Sequence, residues 1–221
     1  MASSSAWENC RFIPFCPFLR WLQSDLIVVE WFERRGHGLS WDSVALVHWD
    51  LLLAEPLEEV LPDLAFGQLY FSGLRTIDAA LESAWVWTSR PPNRSSYLRF
   101  REQLAALGHR GAPLACIFMF SVLTRDFLLK YQRDSRLFSG LNEYKLPSLA
   151  RHYGLPIMEK DLGVLWDPLE DRADAPMNAI NRPISRQFVS TQLARKGGWR
   201  VFHPFIEPWE ASDHPRRSDA P

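Results

Sequence analysis

The sequence predicts a three-layer α/β domain built on a central sheet that is mixed and mostly parallel. Three observations carry this. Two apolar runs, 43–50 and 114–120, read as buried strands. Each run leads into a helical pattern, with Pro56 suited to a first helical turn after the first and Thr124 to an N-cap after the second. Shorter apolar runs then alternate with helical patterns up to about residue 204.

Taken in order, residues 1–17 read as a lead-in, 18–207 as a single domain and 208–221 as a flexible tail. Within 18–35, Leu19, Leu22, Leu26, Val29 and Phe32 recur at helical spacing while Gln23, Glu30, Arg34 and Arg35 supply a polar side. That predicts a helix ended by Gly36-His37-Gly38, although Leu26-Ile27-Val28-Val29 is also a good strand sequence. The 43–50 strand follows, with its helix reaching about residue 64. Leu69-Tyr70-Phe71 reads as a short strand closed by Ser72-Gly73, and 83–88 as another strand or an aromatic loop. The two prolines of 89–96 break regular structure. A helix over 97–107 is capped by Ser95 or Ser96 and stopped by Gly108. Beyond the Thr124 helix, Pro147 opens a helix that Gly154 closes. Residues 163–167 read as a short strand, 167–181 as a long loop, 187–196 as a helix ended by Gly197-Gly198, and 199–204 as a final strand.

Composition narrows the function classes. With 47% hydrophobic and 13% aromatic residues in 221, the chain can bury a core. Its 25 basic and 26 acidic residues leave a net charge of −1, no electrostatic footprint for nucleic acid. Cys10, Cys16 and Cys116 lack metal-ligand spacing and argue against a disulfide framework, so a reducing, cytoplasmic setting is expected. No apolar run approaches the ~20 residues that cross a bilayer, and no transmembrane segment is expected. Several of the ten tryptophans, Trp49 and Trp85 among them, sit beside polar residues; such rings stack on sugars or simply fill cores.

Chemistry concentrates in three places. On a strand, His48 and Asp50 face the same way and can share one metal ion, at the carboxyl end where open α/β sheets bind ligands. The alternative is that Asp50 caps the following helix. Glu143 precedes a helix, suited to a general base or to a carboxylate favoured by the helix dipole. His203, before Pro204, is a loop histidine or, if the fold brings it to His48 and Asp50, the third ligand of a divalent site.

The ordered set resembles the nucleotide-sugar-dependent glycosyltransferases of the GT-A fold, over roughly residues 20–205. In that family an apolar strand ends in a D-x-D motif that holds Mn²⁺ or Mg²⁺ against a nucleotide diphosphate; here it reads His48-Trp49-Asp50, followed by Leu51-Leu52-Leu53. Leu123-Thr124-Arg125-Asp126 resembles the segment leading to the acceptor side, Asn142-Glu143-Tyr144-Lys145 the acidic motif, and Phe202-His203-Pro204 the C-terminal histidine completing the metal site. The resemblance implies a GT-A-like (Rossmann-like) fold that moves a sugar from a nucleotide-sugar donor to a carbohydrate or other hydroxyl acceptor. It implies His48, Asp50 and His203 as metal ligands, Glu143 as the catalytic carboxylate, Asp50, Arg125 and Lys145 as donor or phosphate contacts, and Trp49 and Trp85 as stacking platforms. Two departures bear on it. His48 replaces the first carboxylate, which favours nitrogen-tolerant Mn²⁺, and only 43 residues precede Val44, so the base pocket is expected to be abbreviated. A non-catalytic GT-A-like module that binds carbohydrate or protein, or a truncated inactive paralogue, is therefore the alternative; a metal-dependent hydrolase is a third reading, without a compact ligand motif.

Overall fold

The structure is a computed structural model that describes residues 24–166, 169–170, 172 and 174–210. The expected lead-in with Cys10 and Cys16, the start of the 18–35 helix and the tail from 211 onward lie outside the described residues. The chain begins with α1 (Ser24–Arg34) and a 3-10 turn, then β1 (Ser43–Val47), β2 (Leu52–Leu53), α2 (Leu57–Val60), β3 (Leu69–Phe71) and β4 (Arg75–Thr76). Next come α3 (Ala79–Ala84), α4 (Val86–Ser89), α5 (Asn93–Ala106), β5 (Leu114–Ala115), β6 (Phe120–Thr124) and α6 (Arg125–Asp134). The last part holds α7 (Asn142–His152), β7 (Ile157–Met158), β8 (Val164–Leu165), β9 (Met177–Asn178), α8 (Arg186–Ala194) and β10 (Val201–Phe202). Among the described residues no helix is long and apolar enough to cross a membrane.

The protein is mixed α/β, with a four-stranded mixed sheet in the order β1-β6-β3-β7. The expectation of a mostly parallel sheet does not hold for it: β6 is antiparallel to both neighbours, and only β3 and β7 run parallel. The reason lies in the connection. A parallel β6 requires a crossover on a sheet face, whereas the chain enters β6 from β5 and a tight turn at 116–119. The central buried strand is β6, all five of whose residues are buried. β1, expected to be buried, is an edge strand among the described residues: Val44 and Leu46 face the core, while Ser43, Ala45 and Val47 face outward.

Several local differences have identifiable causes. The 114–120 run splits into β5 and β6 around its turn, and 83–88 spans the end of α3 and most of α4 on either side of an extended Trp85, with Asp78 accepting from the Leu81 amide to start α3. α5 starts at Asn93, four residues before the expected helix, because Pro92 ends the loop at the N-cap position. The helix after Asp50 is a single turn, since Leu52 and Leu53 pair instead with β10. Pro147 lies inside α7 rather than at its start. It is tolerated because the carbonyl it cannot bond, that of Glu143, accepts from the Cys116 amide at 2.9 Å. Thr124 caps α6 as expected, accepting from the Phe127 amide at 3.2 Å.

The main core packs Phe32, Tyr70, Phe100, Phe120, Phe127 and Tyr144 between the sheet and its helices, and a smaller one packs Ile184, Val189, Phe202 and Phe205. The sheet directions matter most for function. Because β6 opposes its neighbours, the carboxyl ends of β1, β3 and β7 and the start of β6 share one edge. His48, Gly73 and Glu159 therefore emerge along the same rim.

Candidate metal centre

His48 and Asp50 leave β1 in a turn rather than on a strand, so their convergence does not come from strand alternation. Backbone bonds fix the turn: the His48 amide donates to the Met119 carbonyl, Leu51 donates to His48, and Phe205 donates to the Asp50 carbonyl at 2.7 Å. Asp50 does not cap α2, whose N-cap is Pro56. His203 arrives from the other end of the chain. β10 pairs antiparallel with β2, and His203 forms a bridge to Met177 beside β9, donating its amide to Pro176 at 2.9 Å.

The three side chains meet. His203 Nε2 lies 3.1 Å from Asp50 Oδ1 and 3.2 Å from His48 Nδ1, with His48 Nδ1 and Asp50 Oδ1 4.0 Å apart. His203 Nδ1 lies 2.8 Å from the Asn178 carbonyl, which can only accept, so Nδ1 carries a proton and Nε2 is the ring nitrogen turned to the cluster. That is how a backbone carbonyl orients a ligating imidazole. Asp50 Oδ1 is buried and makes no hydrogen bond despite its close neighbour. Burial, then proximity to His203, pushes the His48 imidazole below its usual range, opposed in part by Asp50. The result is one carboxylate oxygen and two ring nitrogens within 4.8 Å of one another, with a buried acceptor left unsatisfied. A divalent cation would satisfy that set, and two nitrogens with one oxygen would suit Mn²⁺ better than Mg²⁺.

Glu143 sits in the first turn of α7 and accepts from the Phe118 amide at 3.0 Å, in the same turn whose Met119 carbonyl holds His48. Burial of its carboxyl raises its pKa from 4.5 to about 7, with the Phe118 hydrogen bond opposing. Trp49, beside the cluster, is 88% exposed.

The other expected residues do not join this group. Trp85 is 4% exposed and packs edge-on to Tyr144 and Trp166, because its position between α3 and α4 turns it into the core. Arg125, at the far end of β6, donates to the carbonyls of Gly36, His37 and Leu39 and lies over the Phe32 and Trp41 rings. Lys145 is fully buried and pairs with Asp25 Oδ2 at 2.8 Å, so its charge is already balanced away from the rim. Asn178 is the residue the sequence did not announce. It lies in a stretch that reads as polar loop, yet its backbone carbonyl orients His203 and its side-chain amide donates to the Arg182 carbonyl at 2.9 Å. No family model, curated protein or solved structure matches the chain.

Proposed function

We propose that the chain is a metal-dependent glycosyltransferase with a GT-A-like three-layer fold, moving a glycosyl group from a nucleotide diphosphate sugar to a hydroxyl acceptor in the cytoplasm. The observation that carries the reading is the convergence of His48, Asp50 and His203 around an unsatisfied buried carboxylate oxygen, at the carboxyl edge of the sheet. It supports the ligand set that the family resemblance implies. Mn²⁺ held there would act as a Lewis acid toward the leaving diphosphate. The bond from Nδ1 to the Asn178 carbonyl turns His203 Nε2 toward the cluster, and Asp50 contributes the negative charge of the three. Trp49 offers an exposed flat face beside them for a sugar or base. Glu143, with its pKa near neutrality, takes the acceptor hydroxyl proton onto its carboxylate if the reaction inverts, or binds the acceptor if it retains.

Thermal unfolding with Mn²⁺ and a panel of nucleoside diphosphates tests the reading. A ligand at 100 times its dissociation constant adds about 2.7 kcal/mol to stability. The expected result is a shift that requires metal and nucleotide together. Indifference to both would move the reading to a non-catalytic carbohydrate- or protein-binding module.

Glu143 gives a separate expectation. A carboxyl whose folded pKa is raised contributes stability that is fully present below about 4.5 and lost as pH rises through about 7. Wild-type stability is thus expected to fall across that window in denaturant titrations, and Glu143→Gln, which keeps an acceptor for Phe118, to flatten the fall and abolish turnover while leaving Mn²⁺ binding intact. Equal slopes for the two proteins would mean that Glu143 has an ordinary carboxyl environment.

A further inference from the structure

A second site lies along the same rim. A pocket of about 340 Å³ opens between the end of β3, the end of β7 and β8. Its floor is built rather than accidental: the Trp166 indole donates to the Gly73 carbonyl at 3.0 Å, and the Arg75 guanidinium lies 5.7 Å over the Trp166 ring. Gly73 has a φ of +64°, and a Cβ there would come within 2.8 Å of Val164, so the close approach of β3 to β8 requires glycine.

The lining decides the ligand class. Three cations, Arg75, Lys160 and Arg172, line it together with three carboxylates and an apolar wall that includes Val164 and Trp166. Arg75 Nη2 pairs with Glu170 at 3.1 Å, while its Nη1 is buried without a hydrogen-bond partner among the described residues. Lys160 is partly exposed, and its ammonium has no ion-pair partner among the described residues. A phosphate or diphosphate would meet three carboxylates as well as three cations and gain no net attraction. A polyol meets no such penalty. Each of its hydroxyls both donates and accepts, so it can pair with carboxylates and cations in turn while its C–H face covers the apolar wall.

We propose that this pocket binds a neutral saccharide, and that it holds the acceptor of the reaction proposed above; the second clause rests on that reading. β8 pairs with β9, and β9 is bridged to His203, so two strand spacings, about 10 Å, separate the pocket wall from the metal cluster. That span is of the size of a disaccharide. Glu159 and Lys160, at the end of β7, supply an acceptor and a donor to ring hydroxyls.

Saturation-transfer NMR with the methyl glycosides of glucose, galactose, mannose and N-acetylglucosamine tests the pocket, with inorganic pyrophosphate as the competing probe. At least one glycoside is expected to bind, with affinity lowered about tenfold or more in Glu159→Gln and in Lys160→Gln, each of which removes one charged hydrogen bond. Both positions are at the surface rim, so circular dichroism and thermal unfolding should match the wild type. Binding is expected to persist in Asp50→Asn and without Mn²⁺, which separates this site from the metal cluster: a wild-type protein that binds a glycoside but does not respond to Mn²⁺ and nucleotide overturns the acceptor role and leaves the saccharide site standing. Absence of binding by every glycoside, glycoside binding untouched by both rim variants, or pyrophosphate binding that Lys160→Gln removes would each overturn the proposal.

Discussion

Asp50→Asn is expected to remove the Mn²⁺ response while leaving the fold intact. Asparagine keeps the shape of the side chain and its buried position, and its amide can pair with Nε2 of His203, so metal-free stability should match or slightly exceed that of the wild type. The ligand charge is gone, however. Loss of even an outer partner of a metal site lowers affinity by 10–100-fold, so loss of the carboxylate ligand itself is expected to cost about 100-fold or more. At a Mn²⁺ concentration that gives the wild type about 2.7 kcal/mol, the variant then keeps about 0.4 kcal/mol, a difference easily read by thermal unfolding. Turnover should fall by about a thousandfold, the equivalent of several kcal/mol of transition-state charge stabilisation. Undiminished Mn²⁺ stabilisation in this variant would remove Asp50 from the site and the glycosyltransferase reading with it.

The second large effect concerns stability. Lys145→Met is expected to destabilise the protein by about 3–5 kcal/mol, a large share of the 5–15 kcal/mol that holds a typical domain folded. Lys145 and Asp25 are both fully buried, and Asp25 also accepts the Tyr131 hydroxyl, so α1, α6 and α7 meet at one carboxylate. Burial and that carboxylate hold the Tyr131 phenol well above its usual range. Removing the ammonium strands the Asp25 charge, with its Oδ1 already lacking a hydrogen bond. The double variant Asp25→Leu with Lys145→Met should recover most of the loss, because a buried pair replaced by apolar groups costs little, while the unpaired Tyr131 hydroxyl retains about 1–3 kcal/mol of it. Urea denaturation of the three proteins measures both terms. A single-variant loss below about 1 kcal/mol would mean that water reaches the pair.

Local signals in the sequence were enough for much of the architecture. Helix caps are short-range chemistry, so Thr124 and Gly154 mark helix ends that the structure contains, while the last helix ends at Ala194, ahead of Gly197. Leu69–Phe71 closes at Ser72-Gly73 as its apolar run and glycine imply. Strand direction is not local. Nothing in Phe120–Thr124 states that it will run against both neighbours, and β1 reads as buried although three of its five side chains face outward. Pro147 misleads for a related reason: its place inside a helix is licensed by Cys116, a partner far away in sequence. The same limit applies to the site. His48, Asp50 and His203 could be named from their residue types and positions at the ends of apolar runs, and the structure brings them together. Arg125 and Lys145 carry charges that suit phosphate, and only tertiary packing reveals that both are occupied elsewhere. Asn178 could not be found at all, because its role is played by a backbone carbonyl.

The span of 155 residues between His48 and His203 has a kinetic consequence. During synthesis β1, β3, β6 and β7 can pair before residue 203 leaves the ribosome, since all four strands end by Met158, while Met177 and Val201 complete the main core only as the returning end of the chain docks. The third ligand therefore comes into being only when β10 docks on β2 and β9, a contact of high sequence separation that forms late. Interactions that form after the folding barrier act on escape from the native state rather than on arrival. A cation held by this triad would leave the folding rate unchanged and slow unfolding, working as a latch on the returning end of the chain.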